Sequence, residues 1–314
     1  MAKHYSLLPL LFCFTAMLAQ KPAEIGLVSD NDLYSSLVND QYYTNGLELY
    51  YRYLGTRNND VVAKRITEFR IGQYMYNPQS VKVADIRFHD RPFAGYLFAE
   101  AGLNTFYVNE SVLKMSFQAG VLGPESGAEE VQEQLHKLFH YPKVEGWQHQ
   151  ITTALGLQAK LFYSHKIFPE TFKEKTDFHL QAKLNAGTIW TDVSAGVTAR
   201  ISLRGALLPV YKSSLYGAVL SRNPSDKELR EFYLYFSPNI NYQDYDATIQ
   251  GSRFNDTSPV TFPLIPFRFN AEGGVKYRKN NWILSYSVHY RSKELTNRVI
   301  TGYYYGSIAV GYLL

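Results

Sequence analysis

"LKMSFQAGV", residues 113–121, changes character at every step: Leu113, Met115, Phe117, Ala119 and Val121 are apolar, and Lys114, Ser116, Gln118 and Gly120 between them are polar or small. Successive side chains of a strand point to opposite faces, so this run makes a strand with one apolar and one polar side. The pattern recurs. "HLQAKLNAG" (179–187) sets Leu180, Ala182, Leu184 and Ala186 against Gln181, Lys183 and Asn185. In residues 282–291, Trp282, Leu284, Tyr286, Val288 and Tyr290 oppose Ser285, Ser287, His289 and Arg291. At the C-terminus, Tyr304, Ile308, Val310, Tyr312 and Leu314 oppose Ser307, Ala309 and Gly311, although the chain ends on Leu where membrane barrels commonly end on an aromatic residue.

Such strands suit a soluble β-sandwich or a membrane barrel with lipid outside and water inside. Aromatic content separates the two. The chain has 26 Tyr and 15% aromatic residues, which aromatic girdles at two membrane interfaces would use and a soluble domain would not need. Mean hydropathy is −0.25, and beyond the N-terminus no stretch approaches the roughly 18 apolar residues of a transmembrane helix. The expectation is an all-β transmembrane antiparallel barrel of about 12 strands. Their approximate positions are 24–33, 44–54, 65–76, 95–107, 111–123, 149–163, 177–187, 189–202, 230–243, 265–278, 281–292 and 303–314.

"MAKHYSLLPLLFCFTAMLAQ" (1–20) has a basic start at Lys3, an apolar core from Leu7 to Leu18 and a small residue at Ala19, the pattern of a secretory signal peptide over residues 1–19. Cys13, the one cysteine, lies inside it. A lipoprotein reading of "LLFC" fits less well, because Phe12 is bulky and the apolar run continues past the cysteine. Residues 20–314 show no repeat or composition break and read as a single barrel domain. A net charge of +4 with pI near 8.8 suits an anionic membrane surface. Outer-membrane lipids are the expected surroundings, with no nucleic-acid partner and a monomeric chain.

Two segments break the alternation. "DNDLYSSLVNDQYYTNG" (30–46) crowds Asp30, Asn31, Asp32, Asp40, Thr44 and Asn45 around a strand end, which suits a polar hairpin loop or a site for a hard cation such as calcium. In "PESGAEEVQEQLHKLFHYPKVEGW" (124–147), Val131, Leu135, Leu138 and Phe139 fall on one stripe of a helix. Ser126 and Glu129 form a capping box at its start, and Pro142 follows its end. If that stripe packs on the barrel, His136, beside Gln132, points into the crevice between helix and wall; otherwise it is a solvated histidine.

Taken in order, "SDNDLYSSLVNDQYYTNGLELYY" (29–51), "HDRPFAGYLFAEAG" (89–102), "LGPESGAEEVQEQLHKLFHYPKVEGWQHQ" (122–150), "YDATIQGSRFND" (245–256) and "YSVHYRSKEL" (286–295) resemble the blocks of the bacterial outer-membrane lipid A 3′-O-deacylase family. The resemblance runs across nearly the whole mature chain. It implies a twelve-stranded barrel with a calcium-dependent site between wall and loop helix at the cell surface, hydrolysing the 3′-linked acyloxyacyl ester of lipid A in lipopolysaccharide. The family's catalytic histidine corresponds to His136, its Asn-Asp pair to Asn31 and Asp32, and its threonine to Thr44. Asp32 and Asp40 are the candidate metal ligands. Arg91, Gln132, Lys82 and Arg87 are the candidate substrate-binding residues, Arg91 being equally suited to an ion pair with Asp90 inside the lumen. Gly95 and Ala94 would allow a close backbone approach.

Two other classes compete. An outer-membrane phospholipase would use a serine two residues after a histidine, and no histidine past the leader has one. A porin or adhesin barrel would use its loops without chemistry.

Overall fold

The computed structural model describes residues 21–35, 42–56, 59–79, 84–168 and 174–314. Its strands are β1 (Ala23–Asn31), β2 (Tyr43–Leu54), β3 (Val62–Tyr76), β4 (Ala94–Tyr107), β5 (Ser111–Leu122), β6 (Ala154–Ile167), β7 (Thr176–Gly187), β8 (Trp190–Ser202), β9 (Glu231–Asp246), β10 (Phe267–Lys279), β11 (Trp282–Ser292) and β12 (Gly302–Leu313). Each pairs antiparallel with its sequence neighbours, and β12 returns to β1 in the register Glu24↔Leu313 to Asn31↔Gly306, closing the barrel. Closure removes the sheet edges, whose amide groups would have no water to bond with in a bilayer. The expected leader, Asp40 and Lys82 lie outside the described residues.

All twelve expected strands are present. The largest shift is β6, which starts at Ala154 because Trp147–His149 forms a 3₁₀ turn and the Ile151 N–H donates to the Phe93 carbonyl (2.9 Å). Alternation sorts the faces as expected: Met115, Phe117, Leu180, Leu184 and Leu284 are exposed on the outer wall, and Gln118 is buried in the lumen.

Charge fills the interior in pairs. Arg52 lies between Glu24 (3.6 Å) and Glu68 (3.2 Å), Lys160 meets Glu100 at 2.8 Å, and the Arg200 Nε donates to Asp177 at 2.9 Å. Pairing offsets the cost of taking these charges out of bulk water. At the end bearing the termini, the segment 203–230 enters the lumen. Its Val210, Ala218, Val219 and Leu220 pack on Leu54, Ile66, Phe106 and Val112. Lys64 Nζ donates to the Ala218 and Leu220 carbonyls (2.9 and 2.6 Å), and Arg278 Nη2 to that of Asp226 (2.8 Å).

Among the described residues two helices lie at the opposite end: α1 (Ala128–Leu138), between β5 and β6, and α2 (Ala247–Gln250), after β9. The helix of the sequence reading is present, but its start and its buried face differ from expectation. Gly127, in the left-handed region at φ 67°, is the N-cap, and no side chain caps the helix. Ser126 is drawn into the wall, its main-chain carbonyl accepting from Gln73 Nε2 at 2.6 Å, and its buried hydroxyl makes no capping box. Ala128 and Gln132 are the buried residues of α1, whereas Val131, Leu138 and Phe139 are exposed. The cause is Gly95: a Cβ there would sit 2.3 Å from the Ala128 Cβ and 2.2 Å from the Ser126 Oγ. Only a small residue of the helix can approach that point.

Candidate active site

Asn31, Asn45, Met75 and Gly95 stand opposite one another in register across β1, β2, β3 and β4. By period two they share a face with the exposed Ile25, Leu27, Leu47, Leu49, Phe69 and Ile71. The row therefore lies on the outside of the wall, just past the apolar belt, at the end away from the termini. Asn31 Nδ2 donates to Asn45 Oδ1 at 2.5 Å. Met75 packs with Phe93, Ala128, Val144 and Trp147 beneath α1. Neighbouring strands are about 4.8 Å apart, so Asn45 and Gly95 are separated by roughly 10 Å of wall.

Each side of this row is covered by a folded-back loop. On one side the 3₁₀ turn Asp32–Tyr34 lies over β12. The Asn31 Oδ1 caps it by accepting from the Leu33 N–H (2.7 Å), and the Tyr286 hydroxyl donates to the Tyr34 carbonyl (2.8 Å). Gly306 makes room, since a Cβ there would be 2.5 Å from that of Tyr34. Asp32 is buried at the start of the turn. Thr44, also buried, is the extra residue of a β-bulge between the pairs Tyr43↔Tyr76 and Asn45↔Met75. A bulge breaks the alternation and re-aims one side chain, here beside Asn45.

On the other side α1 carries Gln132 and His136, one turn apart on one flank. His136 is half-buried, its Nδ1 2.7 Å from the Pro142 carbonyl oxygen and its ring edge-on to Tyr141. A carbonyl only accepts, so Nδ1 carries the hydrogen, and in the neutral ring the lone pair lies on Nε2. Gln132 is fully buried, its Oε1 accepting from the Trp147 indole N–H at 2.7 Å.

The fold thus gathers Asn31, Asp32 and Thr44 at one group of strand ends and Gln132 and His136 on the neighbouring helix. Arg91 is elsewhere. It is fully buried in the roof of the lumen, with Nη2 donating to the Thr248 Oγ1 (2.9 Å) and the guanidinium over the Tyr76 ring. Its neighbour Asp90 accepts from the Tyr42 hydroxyl (2.8 Å), so the two form no simple lumenal pair. Arg87 is exposed and paired with Asp85 (2.5 Å), an arrangement worth little in water. Trp147 and the Pro142 carbonyl are the site groups the sequence reading passed over. Their only signal was a tryptophan and a proline closing the loop after a helix.

A polar row on the bilayer side of a closed twelve-stranded wall defines a membrane-barrel protein with candidate functional groups that face its lipid surroundings and not its lumen. The chain belongs to the LpxR family of outer membrane proteins: the family model described as "Outer membrane protein LpxR" matches residues 6–314. The solved structure "LpxR from Salmonella typhimurium" is 19% identical, covers 92% of this chain and 99% of that one, and has a TM-score of 0.75. The β domain of the Bordetella autotransporter BrkA is 8% identical with a TM-score of 0.45, covering 93% of this chain and 98% of that one. The translocator domain of autotransporter NalP from Neisseria meningitidis is 10% identical with a TM-score of 0.45, covering 97% and 93%. No curated protein sequence matches the chain. The outer membrane is its location.

The candidate ligands on this strand end and its neighbour, the Asp32 carboxylate, the Thr44 hydroxyl and the Asn45 amide oxygen, are all oxygen donors. Such a set fits a hard cation and is unsuited to a thiophilic one. Among the described residues no three histidine or acidic side chains converge as a metal cluster, so a cation here would draw on amide, hydroxyl and main-chain oxygens as well.

Proposed function

We propose that the protein is a calcium-dependent carboxylic ester hydrolase that removes the 3′-linked acyloxyacyl group of lipid A at the cell surface. The observation that carries this reading is the outward face of the site. Asn31, Asn45 and the two loops flanking them stand on the wall at the upper edge of the apolar belt, where a lipid's ester would lie, and the helix that carries His136 packs on the adjoining strands β3 and β4. The 3′ position and lipid A itself are what family membership suggests.

His136 Nε2, holding its lone pair, takes a proton from water as that water attacks the ester carbonyl, and later returns it to the leaving alkoxide. Asn31 Nδ2, with one hydrogen committed to Asn45, keeps the other to donate to the carbonyl oxygen as charge develops there. Asp32, with Thr44 and Asn45, would hold calcium, which would supply Lewis acidity at that carbonyl; Asp40, outside the described residues, is a further candidate ligand. No acyl-enzyme is required, because neither Ser nor Cys is needed as a nucleophile. The lumenal segment 203–230 disfavours the porin reading, and the lack of a His-x-Ser spacing past the leader disfavours the phospholipase reading.

The test is full-length protein in detergent with lipopolysaccharide and calcium, products read by mass spectrometry, beside a phosphatidylethanolamine arm. Loss of one acyloxyacyl unit from lipid A supports the proposal. Fatty acid released only from phosphatidylethanolamine, or no product from either, overturns it.

A further inference from the structure

We infer that Trp147 is a positioning residue: its indole N–H decides which end of the Gln132 amide is presented to the reacting ester. The inference rests on the esterase reading and adds to it a second oxyanion donor, together with the group that orients it.

A glutamine amide has an accepting end and a donating end, and the two have nearly the same shape. What selects between them is the neighbour. Trp147 Nε1–H can only donate, so the end facing it across 2.7 Å is Oε1, and Nε2 points the other way. Trp147 cannot turn to suit a flipped amide. It is 1% exposed and packed against Met75, Phe93, Ala128 and Val144, with its ring 5.0 Å from that of Phe93. Gln132 is 0% exposed, and its Nε2 has no hydrogen-bond partner among the described residues. A buried amide donor without an acceptor is costly to maintain, and donors of this kind mark places where a ligand oxygen completes the set.

The geometry around it is that of a site assembled by one return loop. The residues after α1 hold both of its site side chains: the Pro142 carbonyl fixes the proton on His136, and the Trp147 indole fixes the amide of Gln132. One turn of helix separates a base from a pair of aimed N–H donors. The acceptor matching those donors is the ester carbonyl oxygen, whose charge grows as the base draws a proton from water. If the amide were free to flip, Oε1 would meet that oxygen lone pair to lone pair.

The test is a double-mutant cycle on lipopolysaccharide hydrolysis. Trp147→Phe keeps the ring and removes the N–H. It should lower kcat about 10-fold with KM within about twofold, because losing an oxyanion donor outright costs ~10²–10³ and a free amide is misaligned only part of the time. Gln132→Ala should lower kcat by ~10². Adding Trp147→Phe to Gln132→Ala should change nothing further, since the residue it positions is gone. A role confined to packing would lower the rate equally in both backgrounds, and that outcome overturns the proposal, as does a wild-type kcat in Trp147→Phe. Gln132→Glu covers the case in which Trp147→Phe does not fold: it still accepts from the indole but has no donor, so kcat should fall as in Gln132→Ala, and an undiminished rate overturns the proposal. Wild-type protein without esterase activity would instead refute the underlying reading.

Discussion

The Nδ1 of His136 lies 2.7 Å from the carbonyl oxygen of Pro142, six residues further along the chain, so the backbone leaving α1 holds the imidazole in one tautomer. On the mechanism proposed above, the base at Nε2 would be oriented without a carboxylate partner.

Replacing His136 by Asn should leave the barrel folded, as read by faster migration of the unheated sample on a gel, because the loop helix takes no part in the strand ladder. Hydrolysis should fall by ~10²–10⁴-fold, the usual cost of a lost general base. The companion substitution is His140→Asn. His140 is exposed at φ 59°, a left-handed position that Asn tolerates, so the helix end survives and the rate should stay near wild type. Equal losses in the two variants would place the base elsewhere.

Chelation should abolish hydrolysis reversibly, with activity returning on adding calcium. Asp32→Ala should reduce the rate at every calcium concentration tested, since it removes the buried carboxylate of the oxygen set. Full activity in excess chelator, measured on lipopolysaccharide by mass spectrometry, would remove calcium from the mechanism.

Gly95 is the hinge between wall and helix. Gly95→Leu would drive a side chain into Ser126 and Ala128, displacing α1 while the β3–β4 ladder stays paired. Heat-modifiable mobility should persist, and activity should fall by ~10², the scale of a displacement of about 1 Å at a reacting group. A fully active Gly95→Leu would show that the helix need not rest on the wall.

The lumen should not conduct. With the segment 203–230 held by Lys64 and Arg278 at the mouth nearest the termini, protein reconstituted in planar bilayers should show no steady open-pore current. A stable conductance of porin size would mean that this segment leaves the lumen, and it would revive the passive-channel reading.

The barrel was legible in the sequence because alternation needs only local residue types. Leu113 to Val121 and Trp282 to Arg291 state which side meets lipid whatever the rest of the chain does. The oxygen-rich strand end at Asn31 and Asp32 and the helix bearing His136 were legible for the same reason. The face the helix buries was not. Val131, Leu135, Leu138 and Phe139 form its most apolar stripe, yet the missing side chain at Gly95 and the indole of Trp147 draw Ala128 and Gln132 to the wall. Arg91 shows the same limit: its charge suggested a ligand for phosphate, and its burial against Thr248 and Tyr76 follows from a loop crossing that no local pattern encodes. Sequence alone determined that the chain forms a membrane barrel, and it named the candidates for the chemistry. Tertiary structure decided which way they point, because the tautomer of His136 and the amide of Gln132 are set by groups that reach them only when the loop after α1 folds back, and the bulge at Thr44 by a register that exists only once the strands are paired.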